Sequence, residues 1–307
     1  MTDATQRGIR SAQVAILVNT ALAITKLVAG IVGNTYALVA DAIESTADIF
    51  SSTVVWGSLR LASRDPDGDY PFGYGKAEPL ATAVVALMLL GAALGIAIQA
   101  FGEIRTPHQT PAPWTLAVLV GVVLVKSTLS RRVHAVGTDI GSNVVKADAW
   151  HHMSDAVTSA AAFVGIAIAL WGGPGWESAD DWAALLASGV IALNGVNMLR
   201  PAVHDLMDRM PGAEVVEPVR RAAETVPGVL ATEKLFVRRS GIGYRVTIHV
   251  QTDPEMPLHA AHVLGGRVKG AIRTAVPQVQ YVLVHMEPYD SSAGAHGTTT
   301  GRTLTTV

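Results

Sequence analysis

Two nonamers of this chain repeat one pattern of ionisable residues. ADAIESTAD runs from Ala40 to Asp48, and ADAWHHMSD runs from Ala147 to Asp155. The match continues beyond them, with Ser51-Ser52 answered by Thr158-Ser159. Asp41, Glu44 and Asp48 stand at offsets 0, 3 and 7, and Asp148, His151 and Asp155 repeat those offsets. On an α-helix such positions share one face. Glu44 lies one turn from Asp48, and His151 one turn from Asp155. Two such helices face to face would offer three carboxylates and one imidazole. That donor set suits a divalent first-row metal ion. The plainer alternative is polar bonding between helices, and two matching stripes, one with a histidine, favour the metal cage. His152 lies about 100° round the helix from His151, so His151 is the expected ligand. For Asp41 and Asp148, a supporting or entry role stays as open as ligation.

The elements that would position these groups are long and apolar. The chain has 307 residues, of which 50% are hydrophobic and 16% charged. Its mean hydropathy is +0.34. Soluble domains carry about 25% charged residues, so the deficit points to a membrane protein. Residues 79–102, 106–125, 156–176 and 182–199 contain no charge. Residues 11–33 and 35–59 also qualify as spans, despite Lys26 in the first and Asp41, Glu44 and Asp48 in the second. About 20 apolar residues cross a bilayer as a helix, so six transmembrane helices are predicted. Ionisable groups at that depth are costly and face a bundle interior or a polar cavity.

Several function classes fall away. The chain has no cysteine, which removes disulfides and thiolate metal sites and makes Cu(I) a poor cargo. The net charge of −2 carries no nucleic-acid footprint. The polar start MTDATQRGIR lacks a cleavage pattern, so the first span reads as a retained helix. Basic residues set the orientation. Arg7 and Arg10, then Arg60, Arg64 and Lys76, then Arg131 and Arg132 with Lys126 and Lys146 nearby, all mark one side. Both termini are therefore expected in the cytoplasm, with the chain in the inner (plasma) membrane.

From about residue 208 the pattern changes. Residues 213–225 read as a helix, KLFVRRS as a strand, and YRVTIHVQ as a second strand that alternates Val246, Ile248 and Val250 with Thr247, His249 and Gln251. A helix opens at Pro257, and VQYVLVHME is a last strand. The order α-β-β-α-β implies a small α+β domain outside the membrane. The expected organisation is a polar N-terminus (1–10), a six-helix membrane domain (11–207), an α+β domain (208–290) and a disordered tail (291–307).

Spans 2 and 5, the intervening YPFGYGKAEPLA and the small C-terminal domain together resemble the cation diffusion facilitator family, exporters of divalent metals. The resemblance covers roughly residues 10–290. It implies a transport site of Glu44, Asp48, His151 and Asp155, with Glu44 in place of the commoner His or Asp. Zn²⁺ is the first expectation, with Fe²⁺, Mn²⁺ and Co²⁺ open. It implies a homodimer held through the cytoplasmic domain and membrane helices, with Lys76 pairing with Asp208. It implies a ferredoxin- or metallochaperone-like cytoplasmic domain whose metal candidates are Glu233, His249, His262, His285 and Glu287. The family's loop site corresponds to Asp67, Tyr70 and Tyr74. Tyrosine is a poor ligand at neutral pH, so this third site is expected to be absent or very weak.

Metal binding needs deprotonated ligands, which makes exchange of protons for the metal natural and gives His151 the titration nearest neutral pH. The expected function is proton-coupled efflux by alternating access. The alternatives are an intramembrane metallohydrolase, for which HExxH is missing, and a metal sensor that does not transport.

Overall fold

A computed structural model describes residues 3–32, 36–105, 115–172 and 179–289. The expected tail beyond 290 lies outside the described residues. So do the side chains of Lys26, Asp41, Glu44 and Thr158. Contacts divide the chain into Met1–Met207 and Asp208–Val307.

The first unit consists of long helices: α1 (Asp3–Val32), α2 (Tyr36–Ala62), α3 (Ala77–Arg105), α4 (Thr115–Asp139), α5 (Asn143–Gly172) and α6 (Ala179–Leu206). They pair as α1 with α2, α3 with α6 and α4 with α5. Among the described residues, Asp3–Thr25, Ala77–Gly102 and Trp182–Leu206 are long and apolar enough to cross a membrane. The helices α2, α4 and α5 carry the ionisable residues discussed below. Leu17, Leu94, Ile98, Leu124, Leu186 and Leu193 are all exposed. An apolar surface of that extent suits lipid rather than water. Trp171 near the end of α5 and Trp182 near the start of α6 are exposed as well, as expected of indoles at a membrane interface.

Small residues let these helices approach. Lipid supplies no hydrophobic drive between spans, so close backbone packing carries the association. Ala12, Ala15, Ala81, Ala147 and Ala149 are buried in one core with Val55, Leu59, Val85 and Val133. A Cβ added at Gly195 of α6 would lie 2.9 Å from Leu90 Cγ of α3. A short turn joins α4 to α5, with Gly141 at φ +70°, a conformation glycine adopts without Cβ strain. Ser142 precedes α5 and donates from its hydroxyl to Glu78 Oε1 at 2.6 Å, and the Asn143 amide donates to the same oxygen at 3.1 Å. A carboxylate from α3 thus satisfies an amide at the N-terminus of α5, where negative charge is favourable.

The second unit runs α7 (Ala213–Glu224), β1 (Ala231–Ser240), β2 (Gly243–Thr252), α8 (Leu258–Ala275) and β3 (Val279–Pro288). The sheet order is β1-β2-β3, with β1–β2 antiparallel and β2–β3 parallel. The parallel pair needs a crossover, and α8 supplies it. The predicted alternation holds: Val246, Ile248 and Val250 face a core shared with Val219 and Ala223 of α7 and Leu264, Val268 and Ile272 of α8. The odd-numbered residues of β2 from Arg245 on fall on the opposite face, which no described element covers.

Candidate metal centre

The helical period brings Asp48 of α2 against His151 and Asp155 of α5. One ligand atom from each lies within 4.8 Å of the others. His151 Nε2 stands 2.9 Å from Asp48 Oδ1. Asp48 is 7% exposed and His151 6%, while the Asp155 side chain is 30% exposed and marks the accessible edge. Two oxygens and a nitrogen from two helices form a hard-to-borderline donor set, as divalent first-row ions require. Glu44, the fourth expected ligand, lies on α2 with its side chain outside the described residues.

The sequence reading missed a cation. Lys126 was expected near the connection after the fourth span. Instead α4 extends from Thr115 to Asp139 and encloses it. Lys126 is 2% exposed. Its Nζ donates to Asp48 Oδ2 at 2.5 Å, to Asp155 Oδ2 at 3.0 Å and to Asn19 Oδ1 of α1 at 3.3 Å. A buried ammonium needs such partners, since ionic groups are retained at depth only when paired. The uncharged run 106–125 had placed Lys126 at a helix end, where a lysine can reach water. The signal that could have found it is the apolar run TLAVLVGVVLV just before it, which continues into the same helix.

Asp148 and His152 form a separate buried pair on α5. Both are fully buried. Asp148 Oδ1 accepts from Ser51 and Ser52 at 3.2 Å each, and its Oδ2 lies 3.6 Å from His152 Nε2. The two serines after the first nonamer therefore serve the aspartate of the second. Asp148 ties α2 to α5 and is not in the three-residue metal group.

The loop between α2 and α3 closes on itself. Asp67 Oδ1 accepts from the amides of Asp69 at 3.1 Å and Tyr70 at 2.8 Å, and its Oδ2 accepts from the Tyr74 hydroxyl at 2.5 Å. The Tyr74 bond, with the amide bonds, holds the Asp67 carboxyl below its ordinary value, and the same bond pushes Tyr74 up. Further on, Lys76 Nζ donates to the carbonyl of Asp205 and, at 3.5 Å, to that of Leu206. In the second unit Asp208 accepts from Arg238 Nη1 at 2.8 Å.

On the uncovered face of the sheet, His249 of β2 pairs in register with His285 of β3. Their rings are 4.7 Å apart. Glu287 Oε1 lies 2.6 Å from His249 Nδ1 and 3.6 Å from His285 Nε2. Burial raises the Glu287 carboxyl, but the bond and charge of His249, with Lys234 and His285, outweigh it and hold it below its ordinary value. These three residues form a group able to hold an ion. Two of the five candidates stay outside that group. Glu233 faces His249 across the β1–β2 ladder, but β1 shifts register between Glu233 and Phe236, and its Oε2 accepts from Gln251 Nε2 at 3.2 Å. His262 sits on α8, which covers the core face, so it is on the wrong side of the sheet for His249.

Comparison with known proteins gives the family. Residues 12–207 match the cation efflux transmembrane domain, and residues 211–289 match the cation efflux protein cytoplasmic domain. The manganese efflux system protein MneP of Bacillus subtilis is 28% identical over 91% of this chain and 95% of its own. The magnetosome protein MamB of Paramagnetospirillum magneticum is 27% identical over 87% of this chain and 90% of its own. The cation-efflux pump FieF of Serratia proteamaculans is 29% identical over 89% of this chain and 92% of its own. The chain therefore belongs to the cation efflux, or cation diffusion facilitator, family, and it is a membrane transporter of metal ions rather than an enzyme.

Proposed function

We propose that this protein exports a divalent first-row cation, held between α2 and α5 by Asp48, His151, Asp155 and Glu44, in exchange for protons. The observation that carries this reading is the convergence of Asp48, His151 and Asp155 from two apolar helices, with ligand atoms within 4.8 Å. The same groups that bind the ion must first lose protons, so reprotonation on the far side aids release. Zn²⁺ suits the imidazole and carboxylates. Mn²⁺ and Fe²⁺ suit a set richer in oxygen once Glu44 joins it, and the likeness to the manganese efflux system protein MneP adds weight to Mn²⁺. The reading further takes the protein as a homodimer in the plasma membrane, both termini cytoplasmic. In it Lys76 and Asp208 are the charge pair of the dimer, and His249, His285 and Glu287 bind a regulatory ion.

The test is flux in proteoliposomes loaded with a metal-sensitive dye and a pH dye. Wild-type protein should take up Zn²⁺ or Mn²⁺ and move protons the opposite way. Asp48→Ala and Asp155→Ala should do neither while remaining dimeric. Metal flux with no proton movement would sink the antiport, and wild-type flux in either variant would sink the site. Glu44→His and Glu44→Asp, compared across several metals, test selectivity. An identical metal profile in all three proteins would remove Glu44 from that role.

A further inference from the structure

The transport reading leaves Lys126 without a task, although it is among the most deeply buried side chains in the first unit. Its Nζ reaches one oxygen of each of the two aspartates that would bind the ion, at 2.5 and 3.0 Å. No aqueous exposure explains it, since the side chain is 2% exposed. A carboxylate oxygen bound to a first-row cation sits at about 2.0–2.2 Å from it. An ammonium group bridging Asp48 and Asp155 fills the space between them. The two cations would also repel strongly where little water screens them. One position cannot hold both.

We propose that Lys126 is a tethered cation that occupies the ion-free transport site, and that the transported metal binds by displacing its ammonium from Asp48 and Asp155. This rests on the assignment of those aspartates to the transport site. Three consequences follow from the geometry. First, the ammonium competes with the metal, so it weakens binding and promotes release. Secondly, it balances charge when the carrier is empty. With one returning proton on Asp48 or Asp155, the ammonium neutralises the carboxylate that remains, which would otherwise be a costly negative charge at membrane depth in a site that must reorient. Thirdly, displacement is a short movement. Asn19 Oδ1 of α1 already accepts from Nζ at 3.3 Å. The lysine can therefore keep a polar partner on α1 while it leaves the carboxylates of α2 and α5. Lys126 is thus a residue that tunes affinity and reorientation, acting through the ligands rather than as one of them.

The test uses the full-length dimer. Zn²⁺ binding by Lys126→Met, which keeps an unbranched apolar stem and removes the ammonium, is measured by calorimetry in detergent. Flux is measured in proteoliposomes. Binding should tighten at least tenfold while maximal flux falls at least tenfold, because the ion no longer meets a competitor and the empty site no longer carries its own counter-charge. Lys126→Arg, which restores the charge, should return the affinity to within about threefold of wild type. Unchanged or weaker binding in a dimeric Lys126→Met would overturn the proposal. Should Lys126→Met fail to assemble, the wild-type protein decides. Saturating Zn²⁺ should raise acetylation of Lys126 by acetic anhydride, read by mass spectrometry, at least threefold, and equal or lower labelling overturns the displacement. Failure of the site assignment has a different signature: Asp48→Ala would then bind Zn²⁺ as wild type does.

Discussion

Two clusters in this molecule use the same chemistry under opposite constraints. Asp48, His151 and Asp155 sit between long apolar helices; His249, His285 and Glu287 sit on a sheet face that no described element covers. The first cluster encloses a lysine, and the second is half open to water. Water can solvate the surface carboxylate, so a histidine neighbour is enough. The buried carboxylates need a full positive charge. A site in lipid must therefore carry its own counter-ion, whereas a site in water can wait for one.

The sharpest way to break that contrast is to remove carboxylates from each side. Asp155→Ala should lower metal flux at least ~100-fold, since losing even an outer partner of a ligand costs about 10–100-fold. Glu287→Gln should leave flux within about threefold at saturating metal and should instead abolish stabilisation of the second unit by added ion, read as the shift of its melting midpoint. Equal losses in the two variants would mean that the clusters do not have separate tasks.

Packing offers a smaller effect confined to the membrane unit. Gly195→Val places a branched side chain where even a Cβ meets Leu90 at 2.9 Å. Overpacking of this kind costs about 1–3 kcal/mol. The melting transition of the helical unit should fall, with that of the sheet unit unchanged. Coincident shifts would show that the two units melt as one.

The smallest expected effect is acid sensitivity of the surface cluster. The folded Glu287 pKa lies below its ordinary 4.5. Its contribution to stability is therefore complete above 4.5 and is lost as pH falls through the lowered value. Glu287→Gln should flatten the acid limb of the second unit's melting midpoint below that pH. The transition of the helical unit serves as the internal control. An unchanged acid limb would assign the sensitivity to other groups.

The convergence of Asp48 with His151 and Asp155 was legible because helical periodicity converts offsets of 3 and 7 into one face. The sheet alternation around His249 was legible for the same kind of reason, with a period of two. Lys126 was misread because the uncharged run before it already had the length of a span. Its charge then looked like an end marker rather than a buried partner. Glu233 and His262 were grouped with His249 by correspondence alone. The register shift in β1 and the face of the sheet that α8 covers depend on tertiary packing, which no local pattern encodes.

The bond network at the start of α5 has a mechanical consequence. Glu78 fixes Ser142 and the Asn143 amide, so the helix that carries His151 and Asp155 is pinned at one end to α3. At 1.5 Å per residue, His151 lies about 12 Å along the axis from that pin and Trp171 about 42 Å. Any tilt about the pin makes α5 a lever. A rotation of roughly 10° would carry Trp171 about 7 Å and His151 only about 2 Å. The far end can swing open or shut while the cluster around His151 stays nearly in place.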